Sequence, residues 1–472
     1  MDMIKFGTDG WRAVIADGFT FDNLAHVCKA TAAWLEDAYG SGSKVVVGYD
    51  TRFMGREFAE FSACVFAESD LDVIISDSFA TTPAISWAAN AYGCQAGIVI
   101  TASHNPPVYN GFKIKADFGG PATPEMIAAV EDQLKSTSPT PPATSFSEHV
   151  SSGKIELRPI SEDYKKILRD RLDIEAIKSG GIKIAHDAMY GTGQGVISDL
   201  LGKDRVIELR SEFNPGFGGK APEPIEKNLG DLSRAVVSNG CSLGIANDGD
   251  ADRVGMFDEK GAFVSSHLLL ALLVKYLYQE KGLTGSIVKT ASTTHMLDRM
   301  GEAYGLEVTT TPIGFKYIAS RIVEDRVLVG GEESGGMAVM GHIPERDGIF
   351  IGLTIAEMVV KRGKKLSELV QELYDEFGDH RTFRIDAHTT ESNKRAVLDR
   401  LETEKGLREI NGSAVSSFST LDGYKHTTAE GWLLVRPSGT EPVLRIYSEA
   451  SSEKVAEAIV HDAMTQLGVE SH

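Results

Sequence analysis

The chain has 472 residues, 42% of them apolar and 24% charged, a globular composition with length for about three domain cores rather than one. Its formal net charge of −19 argues against a nucleic-acid surface, because counterion-driven binding needs a basic face that this chain would build against its own field. The four cysteines, Cys28, Cys64, Cys94 and Cys241, are scattered with no Cys-x-x-Cys pair, so neither a zinc site nor a disulfide framework is indicated and a reducing compartment fits best.

The first ten residues are polar and glycine-bearing, and the longest greasy stretch, 268–277, is interrupted by Lys275. With no apolar core of signal-peptide or membrane-span length, the expectation is a cytoplasmic protein with no membrane partner.

Residues 1–135 alternate strand-like and helix-like segments. Phe6-Gly7-Thr8-Asp9-Gly10-Trp11-Arg12 is a glycine-punctuated loop with an exposed-looking arginine, and 21–39 has helical spacing of apolar residues. Strands are expected at 44–48 and 71–75, with a helix at 55–68 between them. The run 94–100 reads as a buried strand stopped by Asn105-Pro106, which places Ser103 in a tight loop at a strand's carboxyl end, where α/β proteins put chemistry. A serine in a turn is ordinarily only a turn serine, whose hydroxyl bonds nearby backbone. Beyond it, Phe112-Lys113-Ile114-Lys115 alternates with period two, so Lys113 and Lys115 share one face while Phe112 and Ile114 face the core.

Residues 136–153 carry Pro139, Pro141 and Pro142 among many Ser and Thr, a composition read as a linker. A second α/β block, 154–256, has a strand at 182–185, a loop and a helix, then an apolar run ending in Asn247-Asp248-Gly249-Asp250-Ala251-Asp252-Arg253. A third, 257–374, has a helix at 267–280, a strand at 286–289, a helix at 293–300 and a strand at 326–329 that ends in Gly330-Gly331-Glu332-Glu333-Ser334-Gly335-Gly336. The shared plan of the three blocks points to a repeated α/β domain, with three apolar strands ending in three polar loops. The tail, 375–472, reads as a small α+β domain in which Arg436-Pro437-Ser438-Gly439-Thr440 is a tight loop and Arg445 lies on the strand that follows.

Three carboxylates within five residues crowd one loop at Asp248, Asp250 and Asp252, and a hard divalent cation such as Mg²⁺ is the usual remedy. The spacing also suggests an EF-hand calcium loop, but Arg253 occupies the sixth position, which demands glycine, and a strand leads into the loop. Glu332 and Ser334 suit sugar hydroxyls. Arg436, Ser438, the amides of Gly439 and Thr440, and Arg445 suit a phosphate. A serine hydrolase would place Ser103 within Gly-x-Ser-x-Gly, whereas Thr101 holds the first glycine's place.

Together these four loops, in this order and at this spacing, resemble the signature loops of the α-D-phosphohexomutases, and the resemblance extends to the opening Gly7-Thr8-Asp9-Gly10. It implies a four-domain, heart-shaped protein of three related α/β domains plus a C-terminal α+β domain that closes over the cleft. By it, Ser103 is phosphorylated in the active enzyme, and Asp248, Asp250 and Asp252 bind Mg²⁺ together with an oxygen of that phosphate. Arg12, His104, Lys113 and Arg253 complete the catalytic set, with His104 and Lys113 as the acid/base candidates and Arg253 and Lys113 neutralising charge. Thr311, Gly314, Lys316, Glu332 and Ser334 would meet the sugar, and Arg436, Ser438, Gly439, Thr440 and Arg445 would hold the substrate's own phosphate.

The implied reaction interconverts glucose 1-phosphate and glucose 6-phosphate through a bisphosphate, glucose 1,6-bisphosphate, which also serves as activator. The segment Thr311-Pro312-Ile313-Gly314-Phe315-Lys316 resembles the phosphoglucomutase branch, and Glu333 and Gly336 stand where mannose-active bacterial members usually show methionine and histidine. Mannose phosphate, dual use and, further off, glucosamine phosphate remain as family alternatives. A calcium-binding module without catalysis is the alternative from another class. The small-molecule partner is a hexose phosphate, and oligomeric state is left open by the sequence.

Overall fold

Short apolar runs without helical spacing become buried strands, and three of them share one local plan in the computed structural model, which describes residues 4–7, 9–438 and 442–469. Ala96–Ile100, Leu243–Asn247 and Val327–Gly331 are buried at every position. Each is followed, after its polar loop, by an antiparallel partner: Tyr109–Ala116, Val254–Asp258 and Met337–Val339. The returning strand satisfies peptide groups that burial would otherwise orphan. Each polar loop is therefore tethered at both ends.

The chain divides into two compact units, Met1–Leu269 with Gly314–Glu368, and Leu270–Ile313 with Leu369–His472. In the first unit a six-stranded sheet runs in the order Trp11–Val14, Tyr109–Ala116, Ala96–Ile100, Lys44–Tyr49, Asp72–Ser76, Ile155–Arg158. Its centre is parallel and its Trp11–Val14 side antiparallel. Phe112 and Ile114 pack with Leu24, Val27, Phe58 and Phe66 from the helices Phe21–Tyr39 and Gly55–Ala67 in one apolar core. The helix Thr82–Ala91 covers the other face at close range, since a Cβ on Gly48 would lie 2.3 Å from Ile85 Cδ1.

A five-stranded sheet in the same unit runs Phe263–Val264, Val254–Asp258, Leu243–Asn247, Ile184–Asp187, Val206–Leu209. The nearly all-apolar helix Gly348–Arg362 packs on it through Gly352, whose Cβ would meet Ile245 at 2.9 Å. In the second unit, Ser286–Thr290 pairs in parallel with Val308–Thr311. Six antiparallel strands there run Arg381–His388, Val443–Ala450, Gly431–Pro437, Tyr424–Thr428, Ser413–Ser419, Glu409–Ile410. Apolar residues of the helices Glu391–Thr403 and Glu453–Leu467 share a core with this sheet.

The structure differs from the sequence reading at the proline-rich segment. Its second half forms the helix Phe146–Ser151, opened by a reciprocal Ser145–Glu148 capping box. Amides of Ala143 and Thr144 donate to Glu68, and Ile155–Arg158 extends the first sheet by pairing with Asp72–Ser76. Composition reported the prolines, but the cap and the late strand carry the segment into the first sheet rather than away from it.

Candidate active site

Ser103 sits just past the buried strand Ala96–Ile100 with φ of 51°, in the left-handed region that non-glycine residues seldom occupy. Such strain persists only where the surroundings hold it. Its amide donates to Thr101 Oγ1 at 2.9 Å, and its hydroxyl donates to Asp248 Oδ2 at 2.7 Å. His104 Nδ1 lies 3.2 Å from the same hydroxyl. The aspartate loop packs directly on this backbone, since a Cβ on Gly249 would lie 2.5 Å from the Ser103 carbonyl oxygen.

Asp248, Asp250 and Asp252 are fully buried, and each offers a carboxylate oxygen within 4.8 Å of the others. Asp248 Oδ1 accepts from the Arg253 amide. Asp250 Oδ2 accepts from Thr82 Oγ1 at 2.6 Å and Lys113 Nζ at 2.8 Å. Asp252 Oδ2 accepts from Lys113 at 3.1 Å and Arg346 at 2.6 Å. Asp250 Oδ1 and Asp252 Oδ1 are buried without a hydrogen-bond partner among the described residues, an arrangement that costs free energy unless a cation or its water completes it. Burial, and then repulsion from Asp252 and Asp250, pushes the Asp248 carboxyl well above its ordinary range. Orphaned hard oxygens and excess negative charge together fit a small divalent cation. The loop runs from strand to strand rather than helix to helix, which withdraws support from the calcium-module reading.

The cations near Ser103 are more deeply set than their sequence suggests. Lys113 and Lys115 do share a face opposite Phe112 and Ile114, yet both lysines are buried, because the helix Thr82–Ala91 covers that face. Lys113 Nζ lies 2.8 Å from Asp9 Oδ2 in addition to its two aspartate contacts. Burial works against its charge, but Asp250, Asp252 and Asp9 outweigh it and hold the ammonium protonated. That favours charge neutralisation over proton shuttling at this residue. Burial, then the charges of Arg253 and Arg12, holds His104 well below the usual imidazole range. A neutral imidazole beside a hydroxyl is able to take its proton. Arg12, read as exposed, is half-buried and donates to Asn105 Oδ1 at 2.8 Å.

The glutamate loop meets the aspartate loop through backbone: Val254 N donates to Gly335 O, and Arg253 bridges Gly336. Glu332 is buried, accepts from the Gly314 amide at 3.0 Å and lies 3.9 Å from Arg346 Nη1. Burial pushes its carboxyl up to about 7. Ser334 and Lys316 are half-buried, with Lys316 Nζ 5.4 Å above the Tyr317 ring. Sequence reasoning did not single out Arg346, which ties Asp9 to Asp252, nor Asp9, Thr82, Asp50 and Arg52. The only local signal for Arg346 was the charge alternation of Glu345-Arg346-Asp347.

In the second unit, Thr311 ends the strand Val308–Thr311 and Arg436 lies near the end of Gly431–Pro437. Arg436 and Arg445 are directly opposite each other across an antiparallel pair, so the two guanidinium side chains share a face. Arg436 Nε donates to Asp422 at 2.8 Å, Arg445 Nε is buried without a hydrogen-bond partner among the described residues, and Ser438 N donates to Val443 O. Like charges placed side by side favour an anion between them. Gly439 and Thr440 lie outside the described residues.

The four domain patterns of the phosphoglucomutase/phosphomannomutase family match in order: alpha/beta/alpha domain I at residues 3–140, domain II at 162–261, domain III at 265–377 and the C-terminal domain at 391–466. A phosphoglucomutase/phosphomannomutase from Thermococcus kodakarensis is 33% identical over 459 residues, covering 96% of this chain and 95% of that one. A relative from Methanothermobacter thermautotrophicus named "Probable phosphoglucosamine mutase" is 32% identical over 457 residues, 96% of this chain and 95% of its own. A crystal structure from Thermus thermophilus, named "putative phosphomannomutase", superposes with a TM-score of 0.86 at 34% identity over 99% of both chains. The sheets and helices described above fit the four-domain α/β architecture of these proteins. The chain belongs to the phosphoglucomutase/phosphomannomutase family of α-D-phosphohexomutases, and it is a phosphohexomutase, an isomerase of small hexose phosphates.

Proposed function

We propose that this phosphohexomutase is a Mg²⁺-dependent phosphoglucomutase that carries its phosphoryl group on Ser103. The observation that carries the reading is the Ser103 hydroxyl bonded at 2.7 Å to Asp248, inside a buried triad that has two orphaned carboxylate oxygens. Asp248, Asp250 and Asp252 would hold the metal, which when bound supplies positive charge beside the phosphoserine phosphate.

In the first half-reaction the bond from phosphorus to Ser103 Oγ breaks and a bond to the sugar's free hydroxyl oxygen forms. The sugar hydroxyl's proton passes to His104, which is held neutral and in turn protonates the leaving Ser103 Oγ, 3.2 Å from its Nδ1, and the product is glucose 1,6-bisphosphate. After the bisphosphate turns round, its other phosphoryl group returns to Ser103 Oγ, whose hydroxyl proton passes through His104 to the sugar oxygen left behind. Lys113, Arg253 and Arg12 neutralise charge on the transferring group, which is most of what phosphoryl transfer asks of a protein. Gly314, Lys316, Glu332 and Ser334, with Thr311, read the sugar. Arg436, Ser438, Gly439, Thr440 and Arg445 hold the phosphate that is not being transferred.

Glu333 and Gly336 favour glucose over mannose. The relatives' names span phosphoglucomutase/phosphomannomutase and phosphoglucosamine mutase, so the test is a panel of glucose, mannose and glucosamine 1-phosphates, with and without Mg²⁺, followed to the 6-phosphates. Glucose 1-phosphate is expected to give the highest kcat/KM, and turnover is expected to vanish in EDTA. A higher kcat/KM on either other sugar overturns the glucose reading, and undiminished turnover in EDTA overturns the metal reading. No helix among the described residues is long and apolar enough to cross a membrane; a cytoplasmic site of action is proposed from the composition of the sequence alone.

A further inference from the structure

We propose that Arg52, oriented by Asp50, is a positioning residue that sets the backbone of the serine loop for phosphoryl transfer, an inference that rests on the phosphoserine reading of Ser103. Asp50 follows the strand Lys44–Tyr49, which runs parallel to Ala96–Ile100 with Tyr49 opposite Ile100. The pair therefore emerges at the same strand ends as Ser103, and Asp50 N donates to Ile100 O at 3.0 Å.

Each of the five N–H groups of the buried Arg52 guanidinium has an acceptor. Nε donates to Asp50 Oδ2 at 3.2 Å. Nη1 donates to the carbonyls of Pro106 at 2.9 Å and Tyr109 at 3.0 Å. Nη2 donates to the carbonyls of Ser103 and Asn105, both at 2.7 Å. One side chain thus gathers four carbonyls from seven consecutive residues of the loop. Asp50 works on the same loop from the other side, since its Oδ2 accepts from Thr101 Oγ1 at 2.6 Å, and that oxygen accepts the Ser103 amide at 2.9 Å. Both peptide groups of Ser103 are consequently fixed through Asp50 and Arg52.

This accounts for the left-handed φ of 51° at a serine. In that conformation the Ser103 carbonyl faces Arg52 while the hydroxyl reaches Asp248. The carbonyl is confined further by Gly249, where even a Cβ would lie 2.5 Å away. Arg52 is held in turn by its own amide on Asp50 Oδ1 and by the Phe217 ring, 4.9 Å from its guanidinium carbon. No other residue type supplies five forked donors: lysine carries the charge with only three.

The test is Arg52→Lys, which is expected to lower kcat about 10- to 100-fold with KM unchanged within about twofold, as misplacement of a reacting atom does. Amide hydrogen exchange over residues 101–111 is expected to accelerate in the same variant. Arg52→Ala is expected to regain part of its turnover on addition of guanidinium at millimolar concentration, a rescue that general loss of folding would not give. Should Arg52→Lys fail to fold, Asp50→Asn carries the same kinetic and exchange expectations. Unchanged exchange over 101–111, or a rise in KM with kcat intact, overturns the proposal. The phosphoserine reading fails separately, if Ser103→Ala keeps turnover while the exchange response to Arg52→Lys is as expected.

Discussion

Lys113→Met tests how the buried charges around the aspartate triad are balanced. The ammonium is 1% exposed and lies 2.8 Å from Asp9, 2.8 Å from Asp250 and 3.1 Å from Asp252. Methionine keeps much of the volume and the unbranched shape while removing the charge. Arg346 still serves Asp9 and Asp252, but Asp250 is left with the Thr82 hydroxyl. Removing one partner of a buried ion pair costs about 3–5 kcal/mol. At about 1.5 °C per kcal/mol for a cooperative unit of this size, the melting temperature in EDTA should fall by on the order of 5 °C.

The pH dependence has a definite sign. Although burial raises the Asp250 carboxyl, Lys113 foremost holds it well below its ordinary value. The stability it contributes is therefore present above the unfolded carboxylate pKa and lost as pH falls through the lower folded value. The gap between wild type and variant should be widest at neutral pH and narrow in acid. Mg²⁺ should restore more stability to the variant than it adds to the wild type, because the triad then carries more uncompensated charge. The assay is thermal unfolding at several pH values with EDTA or Mg²⁺. A variant melting within about 2 °C of wild type in EDTA at neutral pH would refute the reasoning.

Gly249→Ala drives a Cβ to 2.5 Å from the Ser103 carbonyl oxygen, so kcat should fall about 10-fold or more with the far-ultraviolet spectrum unchanged; wild-type kcat would contradict the close packing. Glu332, raised to about 7 chiefly by burial, contributes stability that is full below the ordinary glutamate pKa and lost as pH rises through about 7. Wild type should therefore lose roughly 3 kcal/mol relative to Glu332→Gln between about pH 5 and about pH 8, and parallel melting curves would contradict this. Arg445→Met removes one of two facing guanidinium groups and should raise KM for the hexose phosphate about 10- to 100-fold, the range of a charge-assisted hydrogen bond; an unchanged KM would remove Arg445 from the phosphate grip.

Much of the candidate site was legible because its chemistry is local in sequence. Ser103, the three aspartates and Glu332 each stand at the end of an apolar run, and the period-two pattern placed Lys113 and Lys115 on one face. What the pattern left out was the covering helix Thr82–Ala91, which turns that face from solvent-facing to buried. Arg346 illustrates the same limit, since its partners Asp252 and Asp9 are 94 and 337 residues away. The charge alternation of Glu345-Arg346-Asp347 around it is equally the pattern of a solvated surface turn. Arg52 is hidden differently, because four of its five guanidinium acceptors are backbone carbonyls, which every residue possesses. At 136–153 the prolines dominated the reading, while Ser145 and Glu148, three residues apart, already formed a helix-start signal that composition averages away.

The central claim is that Ser103 carries the phosphoryl group, and it is tested most directly by a single turnover. Phosphorylated enzyme would be mixed with an excess of glucose 1-phosphate and Mg²⁺, and the protein's intact mass followed together with the sugar products. Phosphate should leave the protein as an equal amount of glucose 1,6-bisphosphate forms, the site should map to Ser103, and Ser103→Ala should neither hold phosphate nor turn over. Phosphate mapped to another residue, or steady turnover by Ser103→Ala, would contradict the account.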